Sequence, residues 1–409
     1  MSTNTVTAPP AGEQAMRPGS PELTQLLERI AEGAARRDKE QIQPFEVIEW
    51  IKRSGLTRLR VPEPEGGSGA TVRELFRTVI DLAEADSHVA HILRAHFWYV
   101  EQVLQSADPG VRRRGLDLLA SGAVVGNAFS EQTARPVGLH FETAFTPDGE
   151  GFRLNGTKFY STGSLYADYT QIWASAPGGR IAAAVIPVSR KGVTIKDDWD
   201  GFGQRLTGTG TTMLDDVYVR PEELVDLGDP DGEQPPAYQG AFLQLYLQAV
   251  TAGVLASVRN DAVALVRHRA RNFSHAADPQ SPARDRQVLQ VVGEIAADAA
   301  AARAIVLVAA EAIQAAVDST VDGIPDADAA EAAQLAAAEA KVAVDRFSYA
   351  TAARLFDVGG ASATQAVHNL DRHWRNVRTI STHNPTHLKA AAVGDHVVNA
   401  APFPTNAFF

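Results

Sequence analysis

The chain contains no cysteine. That absence removes disulfide frameworks, thiolate zinc sites, cysteine nucleophiles and cysteine-ligated iron–sulfur clusters together. Any catalysis would therefore rest on His, Ser, Thr, Tyr, Asn, a carboxylate or a borrowed cofactor. Basic residues are in deficit, with 38 Lys+Arg against 49 Asp+Glu giving the 409 residues a formal charge of −11. A nucleic-acid or anionic-membrane binder needs a basic patch to release counterions or meet lipid head groups, so neither partner is expected. No stretch approaches the roughly 18 uninterrupted apolar residues of a membrane span. Residues 1–20 are rich in Thr, Ala, Pro and Gly and lack the basic start and apolar core of a signal peptide, so a flexible tail and a cytoplasmic location are expected. Several motifs are missing as well. There is no phosphate loop, no H-E-x-x-H and no G-x-S-x-G. Gly201-Phe202-Gly203 lacks the third glycine of a dinucleotide fingerprint. His383 and His387 are spaced i,i+4, but Pro385 separates them and no carboxylate ligand follows, so no metal site is expected.

What is present divides into three stretches. Over 21–122 the pattern is helical. Ser20-Pro21 reads as an N-cap and first-turn proline, a second helix runs from Pro44 to Ser54-Gly55, and Thr71 with Glu74 forms a capping box. A helix from about Ser87 carries His88, His91 and His96, and a short one covers Val111 to Leu119. Over 123–234 the period shortens to about seven strands bounded by Gly, Pro, Asn and Asp, with turns at Asp148 to Gly151 and Asn155-Gly156, which predicts an antiparallel β unit. Over 235–409 the pattern is helical and alanine-rich, with long segments near 239–271, 284–317 and 329–358 suited to a bundle. The order is helices, sheet, helices, an α+β arrangement that excludes an alternating βαβ chain.

Polar groups interleaved with glycine mark three blocks: Gly126 to Glu131, Gly156 to Ser164, and Asp198 to Arg205 running on to Gly208-Thr209-Gly210-Thr211 and Leu214 to Val219. Together with Phe356 to Thr364 and Asp371 to Thr379, these blocks resemble the acyl-CoA dehydrogenase superfamily, in the family's order and over roughly residues 25 to 400. The resemblance implies an N-terminal helical domain, a central antiparallel β-barrel-like domain, a C-terminal four-helix bundle, and a homotetramer binding flavin between sheet and bundle. Where the dehydrogenases carry a tyrosine–glutamate–glycine signature, this chain reads Arg378 to Pro385, with His383 in place of the acid. That variant, with Gly126 to Ser130, resembles the flavin monooxygenase branch, whose usual tail is leucine–histidine–aspartate–proline; Asn384 departs from it.

The resemblance implies reduced FMN, supplied by a separate NAD(P)H:FMN reductase, reacting with O2 to a C4a-(hydro)peroxyflavin that oxygenates a small sulfur-containing or heteroaromatic substrate. FAD is the lesser alternative, in an acyl-CoA dehydrogenase. A flavin N-hydroxylase of an amine or amino sugar and a non-catalytic flavin-fold scaffold are further readings. His383 is the candidate proton donor or stabiliser, because an ordinary imidazole exchanges protons near neutrality. Asn127 and Ser161 offer neutral hydrogen bonds, and His91 and His96 are candidate pocket residues, with buried structural histidine as the alternative for each. Ser130, Thr162 and Gly163 suit the flavin edge, and Trp199 the ring face, with plain strand roles as the alternative for Ser161 and Thr162. Arg269 or Arg271 is expected at the flavin phosphate, and Gly359-Gly360 near the cofactor.

Overall fold

The computed structural model describes residues 15–133, 138–232, 235–268 and 281–404. Its first helix, α1 (Pro21–Glu40), starts where Ser20 accepts the Leu23 N–H at 3.1 Å. Helix α2 (Phe45–Ser54) stops at Gly55, and α3 (Val72–Ala85) begins in a capping box with both Thr71 and Glu74 bonds made. The single helix expected from Ser87 is instead two, α4 (Ser87–Ile92) and α5 (Arg94–Gln105), broken at Leu93. The break re-aims the chain between His91 and Arg94. Helix α6 (Pro109–Ala120) closes this part.

The sheet strands are β1 (Val125–Ala128), β2 (Ala144–Asp148), β3 (Gly151–Lys158), β4 (Tyr169–Ala176), β5 (Arg180–Pro187), β6 (Val193–Ile195), β7 (Thr212–Val219) and β8 (Leu224–Gly228). They are ordered β6-β7-β3-β2-β4-β5-β8, with β1 beside β4. Two departures from the expected antiparallel unit stand out. Strand β4 runs parallel to β1 and, at Ala144↔Ser175, to β2, because a β2–β3 excursion separates β1 from its partner. Strand β8 is the additional one; its five residues lack the alternation that marks a strand in sequence. Asn155-Gly156 is not a turn but lies inside β3. There the register against β7 shifts and Gly156 takes φ +149°, with a Cβ placed 2.4 Å from Thr143 Oγ1. The sheet interior is small and branched: Phe145, Leu154, Ile172, Ile186, Val217 and Val219 are buried together.

Three long helices follow: α7 (Gln239–His268), α8 (Arg286–Asp318) and α9 (Ala327–Gly359). Helix α7 is apolar and long enough to cross a membrane, yet 94% of its most apolar window is buried inside the protein, as befits a core helix. Alanines at 302, 309, 333 and 337 let the three helices approach closely. Two short helices complete the bundle, α10 (Arg372–Ser381) and α11 (Thr386–Asn399), which pack on α9. Buried carboxylates pin α10. Asp38 on α1 accepts from His88 Nε2 at 2.9 Å, Asn369 Nδ2 at 2.8 Å and Arg375 Nη2 at 3.0 Å. Burial raises its pKa, but these partners outweigh burial and hold it well below the usual carboxylate range. Asp261 on α7 accepts from Arg372 at 2.6 Å and His373 at 2.8 Å. Of the chain's three methionines, Met16 is buried against Ser20 and Met213 lies on the outer face of β7.

Candidate active site

Below β1 and β3 the chain builds a rigid cradle. Lys158, fully buried, donates to Phe129 O at 3.0 Å and to Glu131 Oε1 at 2.7 Å, and lies 3.9 Å from the Phe141 ring centroid. Glu131 also accepts the N–H groups of Glu142 at 2.7 Å and Thr143 at 3.0 Å. The acidic and basic residues of the first two polar blocks thus hold the cradle together. After β3 the chain reverses through Tyr160, at φ +60°, and Gly163, at φ +84°. A Cβ at Gly163 would come within 2.4 Å of Ile92 O, so this turn presses on the end of α4 beside His91. Ser164 ties the turn to β1 by exchanging 3.0 Å bonds with Asn127 N and O.

Gln204 joins this cradle to the helices. Its Oε1 accepts from His91 Nδ1 at 3.0 Å and its Nε2 donates to Ser87 Oγ at 3.2 Å. Its N–H donates to Asn376 Oδ1 at 2.7 Å, and its carbonyl accepts from Trp199 Nε1 at 3.0 Å and Thr207 Oγ1 at 2.8 Å. Thr207 and Thr162 both bond Thr209, at 2.7 and 2.9 Å. Trp199 is therefore fixed by its indole N–H, with Tyr160 edge-on at 6.2 Å. Facing the cradle, His383 follows α10 and its Nε2 meets Arg94 Nη1 of α5 at 3.4 Å.

The electrostatics of the two histidines differ from an ordinary imidazole. Burial drives His91 down to about 3, Arg94 pushes the same way, and the Gln204 bond opposes them. His91 is neutral, with its proton on Nδ1 and a bare Nε2. Dense protein around His383, then Arg94, His91, Lys341 and Lys389, hold it well below 6.5. His383 is nevertheless an exposed residue. Because Nε2 accepts from Arg94, the proton sits on Nδ1.

Among the described residues, buried polar atoms without a partner include Asn127 Oδ1, Ser161 Oγ, His91 Nε2, Asn384 Oδ1 and Thr379 Oγ1. Such atoms are costly unless a ligand or water satisfies them. Asn127 and Ser161 flank the Ser164 turn, and His91 stands behind it. Asn384 Nδ2 donates to Gln244 of α7. An edge of neutral acceptors and a hydroxyl, with glycine-tight backbone and a fixed indole, suits an uncharged planar heterocycle such as flavin.

The other sequence-named residues fall elsewhere. His96 is fully buried, with Nε2 donating to Thr57 O at 2.8 Å and Nδ1 accepting from Val125 N at 3.3 Å. Both nitrogens are spent on backbone, so it ties α5 to β1 and faces no pocket. Ser130 lies partly buried at the cradle rim, its carbonyl accepting Phe159 N at 2.9 Å. Gly359-Gly360 end α9, about 27 Å along that helix from Lys341. Arg269 and Arg271 lie outside the described residues. Sequence reasoning passed over Gln204 and Arg94. Gln204 lay inside the Asp198 to Arg205 block but was given no role; Arg94 stood as a lone arginine among apolar residues between His91 and His96.

Among the described residues no group of three His, Asp or Glu side chains is placed to hold a metal ion. The acyl-CoA dehydrogenase N-terminal domain model matches residues 24–123, the middle domain model 126–217 and the C-terminal domain model 245–387. Dibenzothiophene monooxygenase of Mycolicibacterium goodii is 30% identical, over 89% of each chain. The probable FMNH2-dependent monooxygenase SfnC of Pseudomonas putida is 29% identical, over 94% of this chain and 95% of its own. The FMN-bound crystal structure of TdsC from Paenibacillus sp. A11-2 superposes with a TM-score of 0.86 at 27% identity, covering 94% of this chain and 98% of that one. The chain belongs to the acyl-CoA dehydrogenase superfamily and, within it, to the flavin-dependent monooxygenase branch.

Proposed function

We propose that the protein is an FMNH2-dependent monooxygenase of a two-component system, transferring oxygen from O2 to a small sulfur-containing or heteroaromatic molecule, with FMNH2 delivered by a separate NAD(P)H:FMN reductase. The carrying observation is the set of buried partnerless neutral groups, Asn127 Oδ1, Ser161 Oγ and His91 Nε2, with His383 close enough to His91 to feel its charge. No carboxylate bonds His383 among the described residues. In this reading His383, not a carboxylate, stands where the dehydrogenase base is expected.

When bound, reduced FMN would supply the two electrons and the centre for O2 activation. Ser161 Oγ–H and the Asn127 amide would hold the flavin edge, the Thr162-Gly163 turn would meet it through backbone, and Trp199, anchored on Gln204, would cover a face. His91 accepts at Nε2 and cannot donate there while Gln204 holds its proton on Nδ1. His383 donates from Nδ1. Neutral donors stabilise developing negative charge on oxygen without flooding the site with protons. A homotetramer, with a neighbouring subunit sharing each cofactor, is part of this reading.

The test supplies FMN, NADH, a flavin reductase, 18O2 and a panel of sulfides, sulfinates and heteroaromatics. One 18O atom in an organic product is expected, together with slower oxidation of FMNH2 on binding. FMNH2 oxidation at its free rate and no label in any product would overturn the reading. Bleaching of bound FAD by an acyl-CoA would replace it with a dehydrogenase.

A further inference from the structure

Arg94 is a cation without a counterion. Its Nε donates to Leu243 O at 3.1 Å, which fixes the plane of the guanidinium, and its Nη1 points to His383 Nε2 at 3.4 Å. No carboxylate lies within ion-pairing distance of it among the described residues, although Arg37, Arg60, Arg372 and Arg375, likewise buried or half-buried, each meet an aspartate or glutamate. Its surroundings do not supply the missing charge. Lys341 is the neighbouring cation on α9, and its partner Asp345, at 2.8 Å, is already shared with Thr386 at 2.6 Å. Burial lowers the Arg94 pKa to about 10, a measure of how poorly the charge is solvated. A desolvated guanidinium left unmatched is expensive, and its forked N–H groups fit the paired oxygens of a carboxylate or sulfur oxyanion. The His383 Nδ1–H adds a donor beside it.

We propose that Arg94 and His383 form an oxyanion subsite, so that the substrate carries a carboxylate, sulfinate or sulfonate group held beside the reaction centre. This rests on the monooxygenase reading and narrows its substrate class. A neutral sulfide would leave the Arg94 charge uncompensated, whereas a small organic anion would match it and take over the hydrogen bond Arg94 now gives to His383.

The experiment is calorimetric titration of the protein, with and without saturating FMN. Benzenesulfinate, benzenesulfonate and benzoate are set against the neutral methyl phenyl sulfoxide and benzamide. At least one anion is expected to bind tenfold or more tighter than its neutral counterpart, and the anion that wins separates a sulfur oxyanion from a carboxylate. In Arg94→Gln the ratio of anion to neutral affinity falls on the order of tenfold to a hundredfold, and in Arg94→Lys by less. Circular dichroism checks the fold, and if Arg94→Gln does not fold, the ratio in Arg94→Lys decides. Neutral ligands binding as well as anions, or a ratio that neither variant changes, would overturn the subsite. Failure of FMNH2 binding or of 18O transfer would overturn the monooxygenase reading instead, and titration without FMN keeps the two outcomes apart.

Discussion

His383 and His91 are neutral for reasons no local sequence reveals. Residue type marks His383 as the chemical group of Thr379 to Pro385, but its protonation is set by burial and by Arg94, 289 positions away. Those neighbours move it below the 6.5 of an ordinary imidazole. Activity limited by His383 should therefore show no kcat inflection between pH 6 and 8, a pH–rate measurement that an imidazole titrating near 6.5 would contradict. His383→Ala should cut kcat by roughly a hundredfold or more, as loss of a positioned proton donor does. Asn127→Ala, removing a neutral contact at the cradle, should lower kcat/KM by roughly tenfold to a hundredfold without shifting the melting temperature much, which steady-state kinetics and calorimetry separate. His96 shows the limit of reading single residues. Its position beside Phe97 and Trp98 was visible, but which carbonyl it would bond depended on how α5 meets the loop at Thr57.

At the scale of elements, caps and stops were the most legible features. Ser20-Pro21, the Thr71/Glu74 box and Gly55 each act over three residues of chain, so the chain itself carries their whole mechanism. The broken α4–α5 pair, the parallel β1–β4 pairing and the Gly156 bulge were hidden, because each is imposed by a partner far along the chain. The Gly163 turn joins both kinds: its glycine was visible, its reason was Ile92 O. Gly163→Ala combines a left-handed φ with a 2.4 Å approach to that carbonyl. It should cost about 2–4 kcal/mol in denaturant unfolding and weaken FMN binding, because the turn and α4 shift together. Gln204 is the element-scale hub, joining the 197–211 loop to α4 and α10 through both side chain and backbone.

For the whole molecule, the helix–sheet–helix order and the alanine-rich bundle followed from periodicity, and the flavin-fold blocks from motifs. The charged clusters joining α1, α4, α7 and α10 did not, since Asp38, His88 and the Asn369–Arg375 stretch come from three distant segments, and Asp261 from a fourth. Burial lowers His91 to about 3 and His96 and His373 to about 4, with Arg94 acting on His91 and Arg372 on His373 in the same direction. Each stays neutral when folded and takes up a proton below about 6.5 only when unfolded. The stability these groups give is complete above pH about 6.5 and is lost as pH falls towards 4, at up to about 1.4 kcal/mol per pH unit for each histidine. Urea unfolding between pH 7 and 4 should show that slope; a flat profile would contradict it.

The sparse sulfur of this chain bears on its durability. An enzyme that activates oxygen leaks hydrogen peroxide, which attacks thiols and thioethers first. With no cysteine in the chain, and with Met16 buried and Met213 on the outer face of β7, the described residues offer this by-product little sulfur to damage. After prolonged turnover, peptide mass mapping should find sulfoxide at Met213 well before Met16, with activity retained.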